Sequence, residues 1–269
     1  GNILLAAPTD TSIKILLLTP RSGSIAVTYQ SNLAMQDLQW PAGMVTPNVP
    51  KEIVLSGLKA NTRYTYRLSM QTTSGTLISS AYTFTTAKPT GSTFTFTLQA
   101  DSHLDENSDL AVYKQTLGNI LFDQPDFHID LGDTFMTEKY SEPLSPTLQA
   151  ATNADIVNQR YIYERNNFGL ISHSSPLFLV NGNHDGELGW MLNGTKNSLP
   201  VWATSARQTY FANPQPNGFY LGGNMDQVIE AINTKSANKQ EIQLFIGYCG
   251  WDVGELEAEM EEGSWTFSY

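Results

Sequence analysis

Three apolar runs in the middle of this chain each break off into a cluster of Asp, His and Asn. Thr93–Ala100 ends in Asp101-Ser102-His103, Asp126–Leu131 ends in Asp130-Leu131-Gly132-Asp133, and Pro176–Val180 ends in Asn181-Gly182-Asn183-His184-Asp185. In the first run Thr alternates with Phe94, Phe96 and Leu98, the period of a strand. Between the first two runs, Leu110, Tyr113, Leu117 and Leu121 recur at helical spacing and predict a helix over 109–122. Residues 152–171 are polar-rich with a helical tendency. Strand, helix, strand, helix, strand implies a sheet with parallel neighbours, expected to be covered on both faces. In such sheets sites form outside the carboxyl ends of the strands, so the three clusters should meet on one edge.

The residue types at that edge suit a hydrolytic metal site. Carboxylate oxygens and imidazole nitrogens bind borderline divalent or trivalent ions, and a neutral Asn carbonyl limits the negative charge. In Asp-x-His, two side chains can reach one ion where the chain leaves its strand. An Asp after Gly can lie between two ions, because Gly lets the backbone come close. Taken singly, each residue has a plainer reading. Asp133 alone is a turn residue, Asn183-His184 a loop, and Asp101 a helix N-cap. His128 alternates with Phe127 and Ile129 and reads as structural, as does His173. Asp185 reads as a loop carboxylate that orients the histidines.

The flanking segments differ in texture. Residues 1–90 hold 7 basic and 3 acidic residues, residues 91–220 hold 6 and 14, and residues 221–269 hold 2 and 9. The total of −11 and the pI near 4.7 argue against a nucleic-acid partner, which needs a basic face. No run approaches the roughly 18 apolar residues of a membrane span. The single cysteine, Cys249, excludes an intramolecular disulfide framework and a Cys-rich zinc site, and reads as a packed thiol. Residues 1–7 lack the basic start of an intact signal peptide and read as the remnant of one already removed, or of a cloning junction. The first 90 residues form about seven short strands, including 12–19, 24–30, 52–55, 62–70 and 79–86, which fits a β-sandwich. Leu58 should anchor a turn, and the Tyr64 hydroxyl should cap a backbone group.

These blocks resemble known families. Leu55-Ser56-Gly57-Leu58-Lys59-Ala60-Asn61-Thr62-Arg63-Tyr64-Thr65-Tyr66-Arg67 is similar to the corner of fibronectin type III-like domains, with Ala60 where Pro is usual. Asp101-Ser102-His103, Gly132-Asp133 and Gly182-Asn183-His184-Asp185 resemble the metal-binding blocks of calcineurin-like metallophosphoesterases. A fibronectin-like domain before them resembles the purple acid phosphatase branch. The resemblance implies that Asp101 and His103 hold a first metal, Asp133 bridges, and Asn183 holds a second. It implies that His184 contacts the phosphate and assists the leaving oxygen, with a metal-held hydroxide as nucleophile. The implied metals are Fe, Mn or Zn, and the implied substrate is a phosphorylated small molecule or nucleotide.

The same families carry two later histidine blocks. This chain has four histidines, His103, His128, His173 and His184, so both late blocks are absent. By family logic the site is impaired and holds one ion or none. From about residue 220 the chain instead resembles the C-terminal part of the YqgE/AlgH family, through Gly247-Tyr248-Cys249-Gly250-Trp251-Asp252-Val253-Gly254-Glu255-Leu256-Glu257-Ala258-Glu259 and Trp265. There 241–248 reads as a strand, 252–262 as an acidic helix with Leu256 and Met260 inward, and Trp265 and Phe267 as the start of another strand.

The expected fold is therefore an α+β multidomain chain. A β-sandwich spans 1–88, an incomplete α/β metallophosphoesterase sheet spans 89–220, and a small α/β piece spans 221–269. The expected activity is metal-dependent phosphoester hydrolysis. The alternatives are a non-catalytic phosphatase-like binding protein and a YqgE/AlgH-like protein of unestablished activity. A sandwich before a phosphatase-like domain implies a secreted or periplasmic protein, with no membrane span.

Overall fold

The computed structural model describes residues 2–104, 108–137, 153–182, 184–185 and 192–211. The chain begins with β1 (Asn2–Ala6), β2 (Ser12–Leu18), β3 (Gly23–Ser31), β4 (Ala34–Val45), β5 (Lys51–Ser56), β6 (Arg63–Thr72), β7 (Gly75–Ile78) and β8 (Tyr82–Thr85). Then follow β9 (Phe96–Gln99), α1 (Leu110–Asp123), β10 (Phe127–Asp130), α2 (Ala154–Phe168), β11 (Leu177–Leu179) and α3 (Leu199–Tyr210). No helix among the described residues is long and apolar enough to cross a membrane. The expected strand and helix of 221–269 lie outside the described residues.

The first eight strands form two antiparallel sheets, β1-β2-β5 and β4-β3-β6-β7, with β8 also paired to β6. Alternation dictates the packing between them. Tyr64, Tyr66, Leu68 and Met70 of β6 point inward while Arg63 and Arg67 point out. They meet Ile13, Ile15 and Leu17 of β2 in one core. Leu58 is buried at the turn, and the Tyr64 hydroxyl accepts from Lys59 N at 2.9 Å.

Residues 2–6 are a buried strand, paired along its length with β2. Ile3 and Leu5 face the sandwich core, whereas Leu4 and Ala6, with Leu16 and Leu18 of β2, enter a second core shared with α1, α2 and α3. A sheet buried on both faces reads as a continuous apolar run, which hides its alternation, as in Ile-Leu-Leu-Leu of β2. Direct bonds join the two cores. Leu5 N donates to Ser172 O at 2.8 Å, and the Tyr66 hydroxyl donates to His173 O at 2.7 Å.

The second part is a three-stranded parallel sheet in the order β11-β10-β9. α1 crosses from β9 to β10, and α2 from β10 towards β11. Asp109 caps α1 by accepting from Ala111 N and Val112 N, and Tyr113, Leu117 and Ile120 form its buried stripe. Asn153 caps α2. The helices cover one face of the sheet, the one bearing Thr97, His128 and Leu177 in register. Coverage of both faces, expected from the sequence, is not found among the described residues. Phe96 and Leu98 on the other face are exposed.

His128 is buried on the helix side, with Nδ1 2.9 Å from Thr97 Oγ1. Burial lowers its pKa from 6.5 to about 4. Between those values the unfolded chain binds a proton that the native chain refuses, so stability is lost as pH falls through the window. Relative to His128→Leu, the wild type is expected to lose about 3 kcal/mol between pH 7 and 4. Urea unfolding of both proteins across that range checks this, and a pH-independent difference between them would refute it.

Candidate metal centre

The three strand ends converge as one knot of loops. Asp101 N donates to Gly132 O and His103 N to Asp133 O, each at 3.0 Å, so the first loop is bonded onto the second. The third loop abuts the second at two glycines. A Cβ on Gly132 would lie 2.1 Å from Gly182 N, and a Cβ on Gly182 would lie 2.1 Å from Asp133 Oδ1. Both positions therefore require glycine on steric grounds. Asp101 (φ 56), His103 (φ 47) and Asp133 (φ 54) all sit in the left-handed region. Each such residue costs on the order of 1–3 kcal/mol, and they gather here because the bonded loops impose the geometry.

That backbone brings the side chains together. His103 Nε2 lies 3.2 Å from Asp133 Oδ2 and 3.5 Å from Asp101 Oδ1. One ligand atom from each of the three residues lies within 4.8 Å of the others. Asp133 Oδ1 accepts His184 N at 2.8 Å, which turns Oδ2 toward His103. The His184 ring stands 5.5 Å from that of His103, nearly perpendicular. Asp101 is the exposed member of the three. Burial and then the Asp133 carboxylate push its pKa above the usual value, and His103 and His184 pull it back. Asn183 lies outside the described residues.

Donor chemistry and spacing fit a metal ion. Ligand atoms about 2.1 Å from a common ion sit about 3.0–3.4 Å apart when adjacent, close to the separations of His103 Nε2 from the two carboxylates. Two carboxylates facing each other across an imidazole also form an electrostatic cluster that a cation relieves.

Asp185 is fully buried, and its carboxylate serves the backbone of two loops. Oδ2 accepts Asp133 N at 3.1 Å and Gly182 N at 2.7 Å, while Oδ1 accepts Thr134 N at 2.8 Å and Phe135 N at 2.9 Å. Arg207 of α3 approaches Oδ2 at 3.5 Å. Asp130, also buried, accepts Gly132 N, the Thr134 hydroxyl and Gln99 Nε2 at 3.0, 2.6 and 2.7 Å. Asp130 belongs to the second ligand cluster of the sequence, but the structure has it holding the turn that follows, through the Gly132 N–H and the Thr134 hydroxyl, the signature of an Asp two residues before a turn glycine. Arg207 comes from a distant helix, α3.

The backbone of sandwich plus parallel-sheet lobe is similar to two solved structures. Purple acid phosphatase PPD1 from yellow lupin (Lupinus luteus) seeds matches with a TM-score of 0.60 at 17% identity, over 89% of this chain and 48% of that one. The structure titled PhoD matches with a TM-score of 0.54 at 13% identity, over 82% and 47%. The likeness is one of fold. A different likeness holds toward the C-terminus, where a family model described as DUF179, AlgH-like, matches residues 179–268. That match starts inside β11, well before residue 220. A UPF0301 protein of Chlorobium limicola is 51% identical over 49 residues, 18% of this chain and 26% of that protein. The UPF0301 protein BF2109 of Bacteroides fragilis is 36% identical over 55 residues, 20% and 28%. The chain thus spans about a quarter of the length of the curated relatives it matches.

Proposed function

We propose that residues 89–220 are an incomplete metallophosphoesterase domain that binds a metal ion and hydrolyses phosphoesters, led by a fibronectin type III-like sandwich (1–88) and followed by an AlgH-like piece (221–269). The observation that carries this reading is the convergence of Asp101, His103 and Asp133 at the ends of parallel strands, on a fold similar to those of a purple acid phosphatase and of PhoD. Asp101, His103 and Asp133 would hold Fe, Mn or Zn, with Asn183 as a further ligand. A bound ion supplies charge to the phosphoryl oxygens and acidity to water. The protein's part is geometric. The Asp133 carboxylate is fixed by the His184 N–H, and the His184 imidazole stands beside the cluster, where it donates a proton to a leaving oxygen. The substrate is a phosphorylated small molecule or nucleotide, and the sandwich-first order supports a secreted or periplasmic setting.

A second reading is favoured by one observation, the absence of any histidine after His184. With fewer ligands the same cluster would bind an ion or phosphate without turnover. Elemental analysis after loading with manganese, iron or zinc, on wild type and Asp133→Asn, separates the readings when paired with p-nitrophenyl phosphate hydrolysis. Bound metal and turnover, both lost in the variant, are expected. Metal without turnover would establish the binding reading, and neither would leave the AlgH-like reading.

A further inference from the structure

α2 is polar by composition, yet it turns polar residues inward. Arg160, Glu164, Arg165 and Asn167 are all buried in it. Arg160 and Glu164, one turn apart and wholly enclosed, pair at 3.0 Å between Nη2 and Oε1. Taking two charges out of water is costly, and apolar side chains of similar volume often serve stability as well or better. The further partners of the guanidinium supply a reason for the charge. Its Nε donates to Phe135 O, and its Nη2 donates to Leu104 O at 3.2 Å and to Thr134 O at 3.4 Å. Leu104 directly follows His103, and Thr134 and Phe135 directly follow Asp133. The next residue of the helix, Tyr161, stacks on Phe135 at 4.0 Å and donates through its hydroxyl to Asp185 O at 3.2 Å. One turn of α2 thus touches the loops after β9, β10 and β11 together.

We propose that Arg160 is a positioning residue of the metal centre, which clamps the His103 loop to the Asp133 loop through their backbone carbonyls, with Glu164 as the counter-ion that lets the guanidinium be buried. His103 and Asp133 sit at φ 47 and 54, and such backbone persists only where the surroundings over-determine it. The carbonyls that Arg160 holds lie one or two residues beyond these positions. Ligand atoms must stay within about 0.5 Å of their productive places, so slack between the two loops separates His103 Nε2 from Asp133 Oδ2. A planar fork can hold carbonyls of two loops at once, and the single ammonium of Lys cannot reproduce it. The effect on metal affinity rests on the metal reading above, whereas the effect on the loops does not.

Three variants of the full chain test the clamp: Arg160→Lys, Arg160→Met, and Arg160→Met combined with Glu164→Leu. Arg160→Met leaves a buried carboxylate without its partner and should lower the melting temperature. The double variant removes both charges and should recover most of that loss. The loops should not recover. In metal-free protein followed by hydrogen exchange and mass spectrometry, peptides over 100–104 and 130–137 are expected to exchange about 10-fold faster than wild type in all three variants. Peptides from β6 should exchange as in wild type in the double variant and in Arg160→Lys. Manganese affinity by equilibrium dialysis should fall about 10-fold or more in each. Loop protection that returns with the melting temperature in the double variant would make Arg160 half of a structural ion pair and overturn the proposal. Wild-type protection and affinity in Arg160→Lys would overturn it too, and that variant decides the matter if the double variant does not fold. If the wild type takes up no manganese, the metal reading fails, and the exchange data alone uphold or overturn the clamp.

Discussion

Replacing Asp185 by Asn is expected to loosen the metal centre and to lower the melting temperature by roughly 10 °C, although Asp185 is not among the proposed metal ligands. The carboxylate accepts four backbone N–H groups, two on each oxygen, from Asp133, Thr134, Phe135 and Gly182. Asn keeps one acceptor oxygen and places an NH2 where the other stood. Two buried donors then face a third donor, at about 1–3 kcal/mol for each orphaned group. The charge beside Arg207 is also removed. A total near 3–5 kcal/mol is in line with breaking a buried pair. At this chain length each kcal/mol is worth about 2–4 °C. The loops that lose their tie are those that set the Asp133 and His184 backbones, so metal affinity should fall about 10–100-fold, as for partners that orient ligands. Equilibrium dialysis with manganese and calorimetric melting of both proteins check the two effects. An unchanged melting temperature would contradict the hydrogen-bond account. Unchanged affinity with a lowered melting temperature would separate the fold from the site.

How much of this was legible in the sequence depends on the distance over which each signal acts. The meeting of Asp101, His103 and Asp133 was legible, because parallel strand order alone carries three strand ends to one edge. The inward alternation of Tyr64, Tyr66 and Leu68 was legible for the same local reason. β1 was not, because a strand buried on both faces loses its period of two, and Ile-Leu-Leu-Ala at a chain start reads as a processing remnant. β4 carries Pro41 and Gly43 and two register irregularities against β3, which break the strand pattern. α3 was signalled only by Ser198 and Pro200 at its start and by Ala203 and Ala206, small residues that make no conspicuous stripe. The exposed face is not legible, because Phe96 and Leu98 look like core residues in any alternating strand. Sequence says which face is apolar, and only the fold says whether anything stands opposite. The grip of Asp185 on the backbone leaves no sequence trace, since backbone donors carry no side-chain signature.

Arg165 shows how far such backbone grips extend. Wholly buried in α2, its guanidinium donates through Nε to Asn2 Oδ1 at 2.7 Å and through Nη2 to Leu16 O at 2.8 Å, with Nη1 on Tyr210 O. One side chain thus ties β1 and β2 of the sandwich to α2 and the end of α3. Burial pulls its pKa down from 12.5 to about 9, and no carboxylate pairs with it among the described residues. The charge is stabilised by carbonyl and amide oxygens in a fork that Lys cannot reproduce. Arg165→Met fills comparable volume but strands two buried carbonyls, and Arg165→Lys keeps the charge while losing the fork. Both are expected to cost about 3–5 kcal/mol in urea unfolding, with Lys no better than Met. Because the ties run between sandwich and lobe, the wild type should unfold in one transition. Either variant should broaden it and lower the apparent m-value as the two cores part company. Rescue by Lys would show that charge alone matters here. A sharp single transition in both variants would show that the shared β1-β2 sheet, with Leu4 and Leu16 in one core and Leu5 and Ile15 in the other, couples the two parts without the guanidinium.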